Sequence, residues 1–127
     1  MKKIILLLFS SFLLAGCTAP AADSGYRQVS MDEAVALMEG ESGYIILDVR
    51  TAEEFSDSHI PGAVNIPNEE IGTEEIPQLP DKDQKIFVYC RSGNRSKQAS
   101  EKLAALGYTN IIEFGGINSW PGETVSE

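Results

Sequence analysis

Two short apolar runs constrain this chain more than any other feature of it. Tyr44-Ile45-Ile46-Leu47 and Ile86-Phe87-Val88-Tyr89 are continuous rather than alternating, the pattern of strands covered on both faces. Helical patterns lie between the extended segments. Ser30 with Glu33 makes a capping box, and Ala34, Val35, Leu37 and Met38 then form one helical face that ends at Gly40. Thr51 with Glu54 makes a second box, opening a short helix through about Phe55. A third helix is expected over residues 96–106, with Ala99, Leu103 and Leu106 inward and Gly107 as its stop. Short strands are expected at residues 26–29, 63–66 and 110–112. Residues 68–83, rich in Glu and Asp, read as a helical turn followed by a solvated loop. Gly115-Gly116 reads as a turn, and residues 117–120 as a short helix halted by Pro121-Gly122. Strands that alternate with helices predict an α/β domain with a central, mostly parallel sheet flanked by helices. Sites in such sheets lie beyond the carboxyl ends of the strands, where Asp48 and Cys90 both fall.

Cys90 is the residue with chemistry to offer. It ends the second apolar run and opens Cys90-Arg91-Ser92-Gly93-Asn94-Arg95-Ser96, a small polar loop leading into the third helix. Backbone N–H groups converge at a strand-to-helix turn of this kind, and they favour an anion. Gly93 permits the positive φ that turns successive N–H groups toward one centre. Arg91, Arg95 and Lys97 add positive charge, the setting in which a thiol becomes a reactive thiolate. A thiol of pKa about 8.5 must fall by about 1.5 units to be mostly ionised at pH 7, which takes roughly 2 kcal/mol. A helix N-terminus alone gives about 0.3–1 kcal/mol, so the loop amides and guanidinium groups have to supply the remainder. A buried cysteine acting only as a small hydrophobe is the plain alternative. Arg95 could equally orient an anion or pair with a carboxylate behind the loop. Ser96 could cap the third helix. Asp48, Arg50 and Glu54 read as a strand-end ion-pair network. His59, ahead of Ile60-Pro61-Gly62, reads as a hydrogen-bonded turn residue rather than a base, and Trp120 as core. No Cys/His cluster has metal-ligand spacing, and no cofactor motif is present.

The N-terminus speaks of place. Met1-Lys2-Lys3 is basic, and residues 4–14 are apolar but too short to span a membrane as a helix. Leu14-Ala15-Gly16-Cys17 resembles the lipobox of bacterial lipoproteins. That resemblance implies a signal peptide over residues 1–16, cleavage before Cys17 and lipid on its sulfur. An ordinary secretory signal cut after Ala19 or Ala22 would not need a cysteine there. Residues 17–25 are small and polar and read as a tether, leaving residues 26–127 for one folded domain. The expectation is an exported chain, lipid-anchored to the bacterial cell envelope on its periplasmic or extracellular face. Without Lys2 and Lys3, 8 basic residues face 19 acidic ones, a net charge of −11. So acidic a body argues against nucleic acid and against a polybasic membrane contact, which leaves the lipid as the only membrane anchor. Once Cys17 is lipidated, Cys90 is the single thiol of an exported chain, and an oxidising compartment gives such a thiol no reason to persist unless it is used.

Four segments together resemble the rhodanese (sulfurtransferase) family in its single-domain form. They are Leu47-Asp48-Val49-Arg50-Thr51 with Glu54-Phe55; His59-Ile60-Pro61-Gly62-Ala63-Val64-Asn65-Ile66-Pro67; the loop from Cys90 to Ser96; and Gly115-Gly116 with Trp120. The resemblance implies a three-layer rhodanese-like domain and ping-pong sulfur transfer. A small anionic sulfur donor such as thiosulfate would load Cys90 as a persulfide, and cyanide or a thiol, on a small molecule or a protein, would unload it. Arg91, Ser92, Gly93, Asn94, Arg95 and Ser96 would bind the donor. Two other readings share Cys90: a persulfide carrier serving a protein partner, and a phosphatase or arsenate reductase of the same fold. The latter families carry five residues between Cys and Arg, whereas four separate Cys90 from Arg95.

Overall fold

The computed structural model describes residues 25–126. The expected signal peptide, Cys17 and all but the last residue of the tether lie outside them. In chain order the elements are β1 (Arg27–Gln28), α1 (Met31–Gly40), β2 (Ile45–Asp48), α2 (Ala52–Asp57), β3 (Val64–Asn65), a 3-10 turn (Asn68–Glu70), β4 (Ile86–Cys90), α3 (Asn94–Ala105), β5 (Ile111–Gly116) and a second 3-10 turn (Ile117–Ser119). The five strands form one sheet in the order β1-β5-β4-β2-β3, and every strand pair is parallel. Among the described residues the single antiparallel contact is an isolated bridge between His59 and Val125.

The continuous apolar runs occupy the centre for the reason their composition implies. In β4, Ile86, Val88 and Cys90 point to one face, while Phe87 and Tyr89 point to the other. The first face packs against Ala99 and Leu103 of α3. The second packs against Ala34 and Met38 of α1 and Ile60, with Phe87 and Phe114 edge-on at 6.1 Å. Three layers result, as expected.

Local signals set the helix ends. Ser30 Oγ accepts from the Glu33 N–H, and Thr51 with Glu54 forms a complete reciprocal capping box. Three expectations need correction. The segment over 68–83 is not simply solvated, because Ile71, Ile76 and Leu79 are buried and close one flank of the core. The last strand runs on to Gly116, so Gly115-Gly116 is strand rather than turn. Helix α3 begins at Asn94 with Gly93, not Ser96, at its cap position.

A buried polar knot fixes the carboxyl edge of the sheet. Asp48 Oδ1 accepts from the Arg50 backbone N–H at 2.9 Å and from Arg50 Nε at 3.0 Å. Asp48 Oδ2 accepts from Arg50 Nη2 and from the Tyr89 hydroxyl, both at 2.6 Å. Arg50 Nη2 also donates to the Ser58 carbonyl at 2.6 Å, and the Ile60 N–H donates to the Tyr89 oxygen at 3.1 Å. Asn65 Nδ2 donates to the carbonyls of Asp48 and Arg50. Burial, and then the Asp48 carboxylate, push the Tyr89 hydroxyl well up, so it stays a donor. The knot ties β2, β3, β4 and the 58–60 segment together beneath the site. Asp48→Ala should destabilise the domain by about 3–5 kcal/mol in urea unfolding, because Arg50 is left buried without its carboxylate. Tyr89→Phe should cost about 2–3 kcal/mol, less than Asp48→Ala, because Arg50 keeps its carboxylate while Asp48 and the Ile60 N–H each lose one neutral partner.

Candidate active site

Cys90 ends the central strand, and only 1% of it is exposed. The chain must turn at once to enter α3, and Gly93 makes that turn with φ at 117°, in the left-handed region. The Gly93 N–H then donates to Cys90 Sγ at 3.0 Å. Burial pushes the Cys90 thiol up. The Ser96 hydroxyl and the backbone N–H groups of Ser96, Gly93 and Ser92 more than offset this, leaving the thiol below the ordinary cysteine value. The loop is thus an anion ring built mainly of backbone, which a list of side chains does not reveal.

The ring is pinned from behind by β5. Between Val88 and Cys90 the β4–β5 register slips, so that Val88 pairs with Glu113 while Cys90 pairs with Gly116. The extra residue is a bulge, with Gly115 at φ 99°. It brings Gly116 hard against the loop: a methyl group at Gly116 would stand 2.0 Å from the Arg91 carbonyl oxygen and 2.6 Å from the Ser92 nitrogen. The Asn118 N–H donates to that same carbonyl at 3.2 Å.

Of the residues expected at the site, Ser92 and Gly93 turn backbone N–H groups toward the sulfur, and Ser96 turns both its N–H and its hydroxyl. Arg91, Ser92 and Asn94 are exposed at the mouth. Arg95 turns away: Nη1 and Nη2 bond Glu54 Oε1 and Oε2 at 2.8 and 3.1 Å, fastening the start of α3 to the capped start of α2. The two options open for Arg95 in the sequence thus separate in favour of a carboxylate partner. Glu54 belongs to this pair and not to the Asp48–Arg50 knot. Arg91 and Lys97 form no ion pair with any described residue. His59 is buried, with Nδ1 2.8 Å from the Phe55 carbonyl and its ring stacked on Phe55, the turn role expected of it. Trp120 packs at the edge of the core on the α1 face.

One residue beneath the ring carries no motif that marks it in the sequence. Glu113, 1% exposed, places Oε2 2.5 Å from Ser96 Oγ and 3.0 Å from the Gly115 nitrogen. Its signal was a lone acid between Ile112 and Phe114, hidden because the strand was expected to stop at 112. Among the described residues no group of His, Cys, Asp and Glu side chains could hold a metal ion.

Residues 30–123 match the family description of a rhodanese-like domain. Thiosulfate sulfurtransferase PspE of Escherichia coli (strain K12) is 39% identical over 71 residues, covering 56% of this chain and 68% of that protein. Thiosulfate sulfurtransferase GlpE of Pseudomonas savastanoi pv. phaseolicola is 31% identical over 105 residues, covering 79% of this chain and 95% of that one. A solved structure described as rhodanese with anions from E. coli aligns with a TM-score of 0.60 and 36% identity, covering 66% of this chain and 99% of that chain.

The Arg95 contact, first of all, holds the Glu54 carboxyl at about 2, against its ordinary 4.5. A depressed carboxyl contributes stability that is complete above the unfolded value and is lost as pH falls from about 4.5 toward 2. The side chain is 26% exposed, so screening holds the contribution to about 1 kcal/mol. Glu54→Gln should cost that amount at neutral pH and flatten the acid limb of a stability-against-pH curve.

Proposed function

The chain belongs to the rhodanese family, and we propose that it transfers sulfane sulfur through a persulfide on Cys90. The observation that carries this reading is the thiol itself, held below its ordinary pKa by a ring of amides while almost fully buried. The relatives' names, thiosulfate sulfurtransferases, supply the donor class. In the first half-reaction the Cys90 thiolate attacks the outer sulfur of thiosulfate or a similar donor. The S–S bond of the donor breaks, sulfite leaves with the bonding pair, and Cys90 carries the transferred sulfur as an anionic persulfide. In the second half, cyanide or a thiolate takes that outer sulfur and Cys90 leaves as thiolate. Charge is conserved in each half, and no general base is required once the thiol is ionised.

The burial of Cys90 favours a small donor or a slender terminal sulfur. Arg91 and Lys97, with no carboxylate partners, meet its negative charge at the mouth. Their field counts despite the acidic body, since charges beyond about 8 Å are screened in physiological salt. Arg95 contributes through the loop's shape, because Glu54 neutralises it. The same pairing weighs against phosphate chemistry, which needs a free guanidinium to clamp a tetrahedral anion.

The placement of the domain follows the N-terminal pattern: export, cleavage before Cys17, and a lipid anchor in the cell envelope, with residues 17–25 as tether. Multiple acyl chains would anchor it stably.

Treatment with thiosulfate should raise the mass of the Cys90 peptide by one sulfur atom, and Cys90→Ala should abolish both this and thiosulfate-to-cyanide turnover. A persulfide formed without cyanide turnover would make the domain a carrier that delivers to a protein thiol. No persulfide at all would overturn the reading. Separately, cells fed a labelled fatty acid should incorporate it into the intact chain and not into Cys17→Ser. Equal labelling of both would refute the anchor.

A further inference from the structure

The geometry points to a proton store behind the nucleophile: we propose that Glu113, acting through the Ser96 hydroxyl, takes the Cys90 proton when the thiolate forms. This rests on the reading of Cys90 as the nucleophile and adds a positioning residue to it.

Three atoms stand in line across the α3 face of the sheet. Cys90 Sγ is 3.5 Å from Ser96 Oγ, and Ser96 Oγ is 2.5 Å from Glu113 Oε2. Ser96 has one proton to give. Its carbonyl neighbours are farther, Gly93 at 3.0 Å and Gly115 at 3.4 Å, so the carboxylate is the preferred acceptor. The hydroxyl then turns a lone pair to the thiol. In this arrangement Cys90 is S–H, Ser96 is O–H and Glu113 is anionic. The second arrangement follows by two short proton shifts. The S–H bond breaks as the proton passes to Ser96 Oγ, and the Ser96 O–H bond breaks as its proton passes to Glu113 Oε2. Cys90 becomes a thiolate, Glu113 a carboxylic acid that donates to Ser96, and Ser96 now donates to the sulfur. One proton has moved, and the pair carries a single negative charge throughout.

Packing alone does not account for an acid here. Position 113 points to the same face as Ile111 and is 1% exposed, where an aliphatic side chain would serve. Among the described residues no ion pair includes Glu113, and its hydrogen-bond donors are Ser96 and the Gly115 N–H. A buried carboxylate with no cation is costly unless it can be neutralised, and the thiol's proton is within one hydroxyl of it. Glu101 of α3 and Glu113 both act on Tyr26, which lies just ahead of β1.

The test is the ultraviolet absorbance of the thiolate against pH in the intact chain, with the matching Cys90→Ala protein subtracted each time. This needs no sulfur donor, so it can fail while persulfide formation succeeds, and the reverse. Glu113→Gln presents an N–H to Ser96 and removes the competing charge, so the Cys90 midpoint should fall by about 1–2 pH units. In a Ser96→Ala background the same change should move the midpoint by less than half as much, because the hydroxyl that couples the two groups is gone. Should Glu113→Gln fail to fold, Glu113→Asp keeps the charge but withdraws it by one methylene, and should still displace the midpoint measurably. A folded Glu113→Gln protein with an unmoved midpoint, or an equal shift with and without Ser96, would overturn the proposal.

Discussion

The close approach of two backbones is the constraint on which the site depends. Gly116 lies where any Cβ would overlap the Arg91 carbonyl, so the loop after Cys90 rests directly on β5. With no side chain between them, the loop cannot relax outward. The Ser92, Gly93 and Ser96 amides stay turned toward one sulfur, and the cost of orienting them is met in folding rather than in each reaction. The bulge that creates this contact also sets Glu113 beneath Ser96, so a single slip of register arranges both the ring and what lies under it.

Electrostatics at the site are local and arranged in layers. The outermost layer is cationic: Arg91 and Lys97, which form no ion pair with any described residue. The next is neutralised and rigid. Arg95 and Glu54 bind one another at both oxygens, and the Thr51 cap fixes Glu54 in turn. The innermost is amide and hydroxyl dipole around the sulfur. Burial alone would hold the thiol protonated, and it is the dipoles at contact distance that reverse the sign.

Much of this was legible in the residues. The Ile86-Phe87-Val88-Tyr89 run had to be a central strand, Thr51 and Glu54 had to start a helix, and Cys90 at that strand's end had to face a turn rich in N–H groups. His59 sat in its turn as its neighbours suggested. Other features stayed hidden for a physical reason. A glycine pair reads as a turn unless one knows that another backbone presses against it. Arg95 reads as an anion ligand until Glu54, 41 residues away in sequence, is seen to hold both its nitrogens. Ile71, Ile76 and Leu79 sit among acids in the sequence, and only their placement against the sheet shows them to be core.

Periodicity, caps and short motifs are each carried by a few neighbouring residues, and they were enough to give the alternation of strand and helix, the family and Cys90 as the candidate nucleophile. Only the folded chain shows which charges pair, which glycine is a contact rather than a bend, and that a carboxylate lies beneath the loop after Cys90. Those outcomes depend on distances between segments far apart in the chain, and such distances exist only once the sheet has set its register.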